Sequence, residues 1–246
     1  MRALLVGYGR MGKAIEAVLV ARGHVVSGRL GRREICLEGE EGNGALWGAA
    51  SDAAASGADV AFEFTAPDSA GAVVPLLLSK KIPVLSGTTG WDIASALRQA
   101  REQQIPFLHS PNFSLGVAAL RLGVAAVARS LAPFPEFEPG IVERHHSKKK
   151  DAPSGTAKAL AAEIEGASGR AGIPIASLRH GGAPGEHVVF FEGEDETVEL
   201  VHRARSRAIF AQGAVRAAEW MLKSRRRGPL TFDEFFNDAS RGGIAP

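Results

Sequence analysis

The chain has no long apolar runs, and cysteine and tyrosine occur once each. A single thiol, Cys36, rules out an internal disulfide, which suits a reducing compartment. No stretch approaches the ~20 consecutive apolar residues that a membrane-crossing helix needs. The apolar run Ala3–Val6 stops at Gly7, too short for the core of a secretory leader. These absences lead to the expectation of a cytoplasmic protein with no membrane partner. Net charge is also small. The 29 Lys and Arg against 27 Asp and Glu leave +2 at pH 7, so no global field draws the chain to nucleic acid. The surplus basic residues sit in two clusters, Lys148–Lys150 and Arg225–Arg227. The second follows a helical stretch, where cations complement the helix dipole and face water.

Apolar residues make up 45% of the 246, ample for a sizeable core, and their pattern alternates. Residues 2–6 read as a buried strand, 11–22 as a helix and 24–27 as a second strand, a βαβ unit. Strands at 59–64, 82–86 and 106–109 alternate with helices at 68–80 and 92–104, while the Gly- and Ala-rich residues 39–58 are ambiguous. The pattern changes near residue 115. A long apolar helix over 116–130 is followed by strands at 140–146, 174–180, 186–192 and 197–204 around one helix at 155–165. The segments 186–192 and 197–204 form an antiparallel hairpin, and helices return at 210–223 and 231–238. The fold class is therefore α/β: a Rossmann-type, doubly wound parallel sheet plus an α+β domain with a mixed sheet. The expected domains are 1–114, completed by 208–246, for the dinucleotide, and 115–207 for substrate and oligomerisation.

Gly7-Tyr8-Gly9-Arg10-Met11-Gly12 has the G-x-G-x-x-G spacing between a strand and a helix. Gly7 permits a tight turn, Gly9 lets a pyrophosphate reach the backbone, and Gly12 lets the helix pack close to the strand. The helix N-terminus then faces the phosphates. After the second strand an NAD site often carries an acid for the ribose hydroxyls. This chain has Arg29, Arg32 and Arg33 there, and no acid before Glu34. That favours a 2′-phosphate, and so NADPH over NADH, with Arg32 as the candidate ligand. Phe64-Thr65, Gly87-Thr88-Thr89-Gly90 and Ser110-Pro111-Asn112-Phe113 follow successive strands, at the carboxyl ends where such sheets bind ligands. Phe64, Gly87, Thr88, Thr89, Ser110, Pro111, Asn112 and Phe113 are accordingly candidates for the ribose and nicotinamide rim.

The segment His145-His146-Ser147-Lys148-Lys149-Lys150-Asp151-Ala152-Pro153-Ser154-Gly155-Thr156 is not the composition of a core. Histidine or lysine can protonate a substrate during reduction, and lysines can hold its carboxylates. Ser154 is a good N-cap, and backbone amides at Gly155 and Thr156 can bind a carboxylate at the helix start. The glycine loop and this segment together point to a nicotinamide-dependent reductase of a small dicarboxylate. Two histidines could ligate zinc, but neighbours on a strand point to opposite faces and the one cysteine is distant, so no metal is expected.

Taken whole, residues Glu143 through Ala157 match Glu-x-His-His-x-x-Lys-x-Asp-Ala-Pro-Ser-Gly-Thr-Ala at every fixed position. With this signature the chain resembles the dihydrodipicolinate (4-hydroxy-tetrahydrodipicolinate) reductase family of lysine and diaminopimelate biosynthesis. The glycine loop, Phe64-Thr65, Gly-Thr-Thr-Gly, Pro-Asn-Phe-Ser, Gly185-Glu186-His187, Ser206-Arg207 and Gly213–Ala218 extend the resemblance along the chain. It implies His145 as catalytic acid/base, Lys149 as proton donor, and His146, Gly155 and Thr156 as substrate ligands. It also implies hydride delivery to a cyclic dicarboxylate and a homotetramer built through the second domain's sheet. The glycine loop here is the shorter form, and the acid that binds ribose in some members is missing.

The alternatives are another Rossmann NADP oxidoreductase and a non-catalytic nucleotide-binding sensor. A semialdehyde dehydrogenase needs a nucleophilic cysteine, and Cys36 falls near the adenosine end of the expected cofactor. A sensor has no use for both His145 and Lys149. The arginine reading is tested by Arg32→Ala. Losing a charge-assisted contact of about 1.5–3 kcal/mol should raise the NADPH Michaelis constant by about tenfold or more and leave that for NADH unchanged. An unchanged NADPH constant would remove Arg32 from the site.

Overall fold

A computed structural model of the chain describes residues 1–31, 35–37, 40–42 and 57–242. The elements come in the order β1 (Arg2–Val6), α1 (Arg10–Ala21), β2 (Val25–Leu30), β3 (Ile35–Leu37), β4 (Glu40–Gly42), β5 (Val60–Glu63), α2 (Pro67–Ser79), β6 (Val84–Ser86), α3 (Ala94–Gln103) and β7 (Phe107–His109). They continue with α4 (Leu115–Leu131), β8 (Glu138–His145), α5 (Gly155–Ser168), β9 (Ile175–Arg179), β10 (Glu186–Glu192), β11 (Thr197–Arg203), α6 (Ala208–Lys223), β12 (Pro229–Leu230) and α7 (Phe232–Ser240). The chain divides into two compact units, Met1–Phe113 with Phe210–Pro246, and Ser114–Ile209. No helix among the described residues is long and apolar enough to cross a membrane.

The first unit is built on an eight-stranded sheet in the order β12-β7-β6-β5-β1-β2-β3-β4. The six strands from β12 to β2 pair in parallel. All four residues of β5 and the last four of β1 are buried, as expected of parallel strands covered on both faces. The chain leaves β1 for β2 on one side and later continues from β5 outward on the other. The strand order thus reverses between β1 and β5, the place where such sheets open a ligand crevice. Two features were not anticipated. β3 and β4 add an antiparallel hairpin at one edge, and the two-residue β12 pairs with β7 at the other. Strands this short have no readable periodicity. Residues 39 and 43–56 of the ambiguous stretch, and Arg32, lie outside the described residues.

Helix α6 belongs largely to this unit and is lined with small buried residues, among them Ala211, Gly213, Ala214 and Ala218. Its Trp220 is buried and donates to Asp238 of α7 at 3.2 Å. The start of α7 is held by reciprocal bonds between Thr231 and Glu234, a capping box that satisfies two otherwise orphaned donors.

In the second unit the sheet order is β11-β10-β8-β9. β8–β10 and β10–β11 are antiparallel, and β8–β9 is parallel, giving the expected mixed sheet. Strand alternation decides what is buried. Ile141, Glu143 and His145 of β8 point inward with His187, Val189 and Phe191 of β10. The apolar members of this face pack with Leu120 and Val124 of α4 and Leu160 and Ile164 of α5. Val142, Leu178 and Val201 are exposed.

Gly213 gives a test of this packing. An added Cβ would land on the Phe113 carbonyl oxygen. Gly→Ala inside a helix ordinarily stabilises by about 1 kcal/mol. Here the methyl group overfills the contact, so Gly213→Ala should instead cost about 1–3 kcal/mol, read as a lower Tm in thermal unfolding.

Candidate active site

The loops after β1, β5, β6 and β7 lie at the carboxyl ends of neighbouring parallel strands. Gly7 has φ +96° and donates its N–H to Leu30 at 2.8 Å. A Cβ on Gly7 would strike the Phe64 carbonyl, and one on Gly12 would strike the Gly7 carbonyl. Both positions therefore require glycine for close approach. Around Gly9 no atom of the described residues lies within 4 Å of an added Cβ, which suits the close backbone approach of a pyrophosphate. Arg10 begins α1 and is exposed, and Met11 follows half-buried. Tyr8 donates to Glu16, which is also bonded to Arg29. Arg29, the one basic residue of the arginine stretch that is described, is thus already paired.

One buried carboxylate organises the rest of this rim. Glu63, at the end of β5, has no exposed surface. Its Oε1 accepts from Thr65 N at 2.8 Å, Thr65 Oγ1 at 2.6 Å and Thr88 Oγ1 at 2.6 Å. Its Oε2 accepts from Ser86 Oγ at 2.6 Å. Burial of a charged group is tolerated when it is hydrogen-bonded this fully. Glu63 thereby ties the Phe64-Thr65 loop to the Gly87–Gly90 loop. Thr88 is buried while Thr89 is exposed. Gly87 carries no side chain where a Cβ would meet the Phe64 ring. Phe64 packs on Phe113 at 5.8 Å between centroids, and Phe113 packs on Phe232 at 5.4 Å. Ser110 closes its own loop by donating to the Asn112 carbonyl at 2.7 Å, leaving Pro111 exposed.

In the second unit, strand register assembles a polar row. Ser177 of β9 lies opposite Glu143 of β8, Glu143 opposite His187 of β10, and His187 opposite His202 of β11. Two residues along, His145 lies opposite Arg179. Glu143 has no exposed surface. Its Oε1 accepts from Ser154 N at 3.0 Å, Ser177 Oγ at 2.7 Å and Arg179 Nη2 at 2.7 Å. Its Oε2 faces Nδ1 of His145 at 3.5 Å and Nε2 of His187 at 3.7 Å. The His145 and His187 rings meet edge to face, 5.1 Å apart. Ser154 caps α5, accepting from Ala157 N at 3.1 Å, and its hydroxyl lies 3.3 Å from His187 Nε2.

Charge follows from this geometry. Burial pushes the Glu143 carboxyl up, but hydrogen bonds from Ser154, Arg179 and Ser177 outweigh it and hold the group at about 2. Burial and the neighbouring His145 push His187 down to about 4. His145 is also lowered. Burial dominates, with Lys149 and Arg179 adding to it and Glu143 and Asp151 opposing. The Lys149 ammonium is held by both oxygens of Asp151, at 2.7 and 2.8 Å. His146 follows the strand end with its Nδ1 buried and unpartnered. Gly155 and Thr156 open α5. Among the described residues Glu143, His145 and His187 also offer donor atoms within 4.8 Å of one another, a spacing a cation could use. Arg179 already neutralises that carboxylate, and with Lys149 it makes the place more favourable to an anion than to a metal ion.

Two family models match the chain: dihydrodipicolinate reductase, N-terminus, over residues 1–113, and dihydrodipicolinate reductase, C-terminus, over 116–236. The chain is 37% identical to the 4-hydroxy-tetrahydrodipicolinate reductase of Thiobacillus denitrificans, over 92% of this chain and 93% of that one. It is 41% identical to the reductase of the same name from Xanthomonas euvesicatoria pv. vesicatoria, over 87% and 88%. The chain belongs to the dihydrodipicolinate reductase family. A dipicolinate-bound dihydrodipicolinate reductase from Paenisporosarcina sp. TG-14 shares the fold, with TM-score 0.76 at 21% identity over 94% of this chain and 97% of that one.

For this reductase the structure brings the expected residues into two groups. Gly7, Tyr8, Gly9, Arg10, Met11, Gly12, Phe64, Gly87, Thr88, Thr89 and Ser110–Phe113 belong to the first unit, and His145, His146, Lys149, Ser154, Gly155 and Thr156 to the second. The sequence alone points to no role for Glu63, Glu143, Arg179 or His202, and singles out His187 only within Gly185-Glu186-His187. Glu143 stood in the signature, so its fixed place was the one available signal.

Buried imidazoles and a buried carboxylate make stability sensitive to acid. His187 is pushed from 6.5 to about 4, so below pH 6.5 the unfolded ring takes up a proton that the folded one refuses, and stability falls with pH. Glu143, held at about 2 against 4.5, adds a second loss between those values, of about 3 kcal/mol when complete. The urea midpoint should therefore decline from pH 6.5 downward. His187→Asn should flatten the slope between pH 6.5 and 4.

Proposed function

We propose that the protein reduces 4-hydroxy-tetrahydrodipicolinate to tetrahydrodipicolinate in lysine and diaminopimelate biosynthesis, with His145 as acid/base and Lys149 as proton donor. The reading rests above all on the second-unit signature segment. There a buried imidazole, a lysine ammonium and a helix N-terminus lie on one short stretch of chain. A bound nicotinamide nucleotide supplies the hydride. The residues of this chain bind the cyclic dicarboxylate and move the accompanying proton. The α5 N-terminus at Gly155 and Thr156, capped by Ser154, suits a carboxylate through its amides and dipole, and His146 adds a further contact. Asp151 holds Lys149 in place and keeps its charge compensated until an anionic substrate arrives.

In the first unit the glycine loop, Phe64, Gly87–Thr89 and Ser110–Phe113 hold the nucleotide. The missing acid after β2 and the arginines at 32 and 33 favour NADPH, with NADH as the weaker donor. The exposed Val142, Leu178 and Val201 on the outer face of the second sheet suit burial between subunits, as in a homotetramer. A cytoplasmic location goes with the reaction and with the lone cysteine.

The test follows nicotinamide absorbance with the product of dihydrodipicolinate synthase as substrate, and NADPH and NADH run side by side. Enzyme-dependent oxidation, faster with NADPH, is expected. Lys149→Ala should keep nucleotide affinity and lose turnover by about 10²–10⁴-fold, the usual contribution of a positioned proton donor. Loss of nucleotide affinity in that variant would mean that Lys149 belongs to the cofactor site.

A further inference from the structure

We propose that Glu143 is a positioning residue for His145: its Oε2 accepts a hydrogen bond from Nδ1–H of the imidazole and so presents Nε2 as the atom that exchanges protons with substrate. The inference rests on the reading of His145 as the acid/base. Two buried polar atoms carry it. Glu143 Oε2 and His145 Nδ1 face each other at 3.5 Å, and among the described residues neither atom forms a hydrogen bond. Buried polar atoms are rarely left unpaired, and these two complete each other if the ring carries its proton on Nδ1. The other oxygen of Glu143 is already saturated by Ser154, Ser177 and Arg179, so the carboxylate cannot rotate away without abandoning three donors.

His187 is the competing claimant, at 3.7 Å from the same oxygen. It has another partner, since the Ser154 hydroxyl lies 3.3 Å from its Nε2. The Ser154 oxygen accepts from Ala157, and its hydroxyl proton is available to that nitrogen. A neutral His187 receiving this bond has no Nε2 proton to offer Glu143, and its lowered proton affinity keeps it neutral at pH 7. The free oxygen is thus nearer to His145, and His187 has the Ser154 hydroxyl as its alternative partner. On the far side of the ring, Nε2 of His145 lies against Gly185, where any Cβ would come within 3.1 Å of it. Glycine at that position leaves the exchanging nitrogen uncovered.

The electrostatics around the ring fix the sign of the pH effect. His145 faces Glu143 on its own strand, Arg179 on β9, His187 on β10 (backed by His202 on β11), and Lys149 and Asp151 in the loop that follows. Of these, Glu143 and Asp151 raise its proton affinity, while Lys149 and Arg179 lower it. When His145 acts as an acid the Nε2–H bond breaks and that proton leaves, while Nδ1–H stays on Glu143 and the ring becomes neutral. Removing the Glu143 charge makes the imidazolium harder to form. The high-pH limb of activity, where the acid is lost, then moves to lower pH.

The experiment combines Glu143→Gln with ¹⁵N NMR of the histidine rings in the wild-type protein. The wild-type neutral His145 should show the Nδ1–H form. In Glu143→Gln the amide oxygen can serve Arg179 and Ser177 while its NH₂ donates to Nδ1, which reverses the tautomer. Turnover should fall by about 10²-fold or more, with the high-pH limb shifted downward and nucleotide affinity kept. A wild-type His145 in the Nε2–H form would overturn the proposal whether or not the variant folds. So would a variant with lower Tm but an unmoved pH limb, which would leave Glu143 a purely structural role. His145→Ala with wild-type turnover would instead overturn the underlying assignment of the acid/base.

Discussion

Ser154, Ser177 and Arg179 converge on one oxygen of a carboxylate that water does not reach. A charge buried in this way is costly unless every lone pair is used. Glu143 therefore constrains the arrangement around it. Its donors come from the start of α5, from β9 and from the end of β9 nearest the signature loop. A slip of one residue in β8 would turn Glu143 and His145 to the outer face and Val142 and Arg144 to the inner one. The same register that satisfies Glu143 places His187 and His202 in line with it and sets His145 opposite Arg179. The grouping of His145, His187 and His202 around Glu143 is in this sense a by-product of solving a burial problem in the second unit's sheet.

The first unit meets a comparable problem at the end of β5. Glu63 is buried with four donors from Thr65, Thr88 and Ser86, and so couples two loops that would otherwise be independent turns. Each unit thus sets its candidate site loops around an internal acid rather than around apolar packing alone. Hydrogen bonds to an ionised acceptor are short and directional, which suits positions where small displacements matter. Apolar packing tolerates such displacements more readily. The aromatic chain Phe64–Phe113–Phe232 then carries this order from the rim to the returning C-terminal helices.

Much of this architecture could be read from the residues. The strand–helix alternation of the first unit, the hairpin of β10 and β11 and the late return to helix follow from local periodicity. The segment 143–157 stood out through composition as a candidate site. The polar row did not show, because it joins residues 143, 177, 187 and 202 through strand pairing, and pairing register between distant segments leaves no local trace. Glu63 was hidden in another way: a carboxylate at the end of an apolar run reads as the point where a strand meets water. Lys149 was legible as a cation but not as one already held by Asp151, since a charge two residues away on an irregular loop has no fixed direction. The two-residue β12 carries too few side chains to show any alternation.

Because β12 and α6 come from the end of the chain, the first unit is discontinuous in sequence. Its sheet has no partner for the outer edge of β7 until residues 229–230 have been made, whereas residues 114–209 form a unit that is contiguous. On a ribosome the later-starting unit is therefore complete first. The earlier one waits with an open strand edge and an uncovered Phe113, a state in which unpaired edges and apolar surface invite association with other chains. A truncation within the last forty or so residues would damage the nucleotide unit, although the missing segment lies far along the chain from the glycine loop.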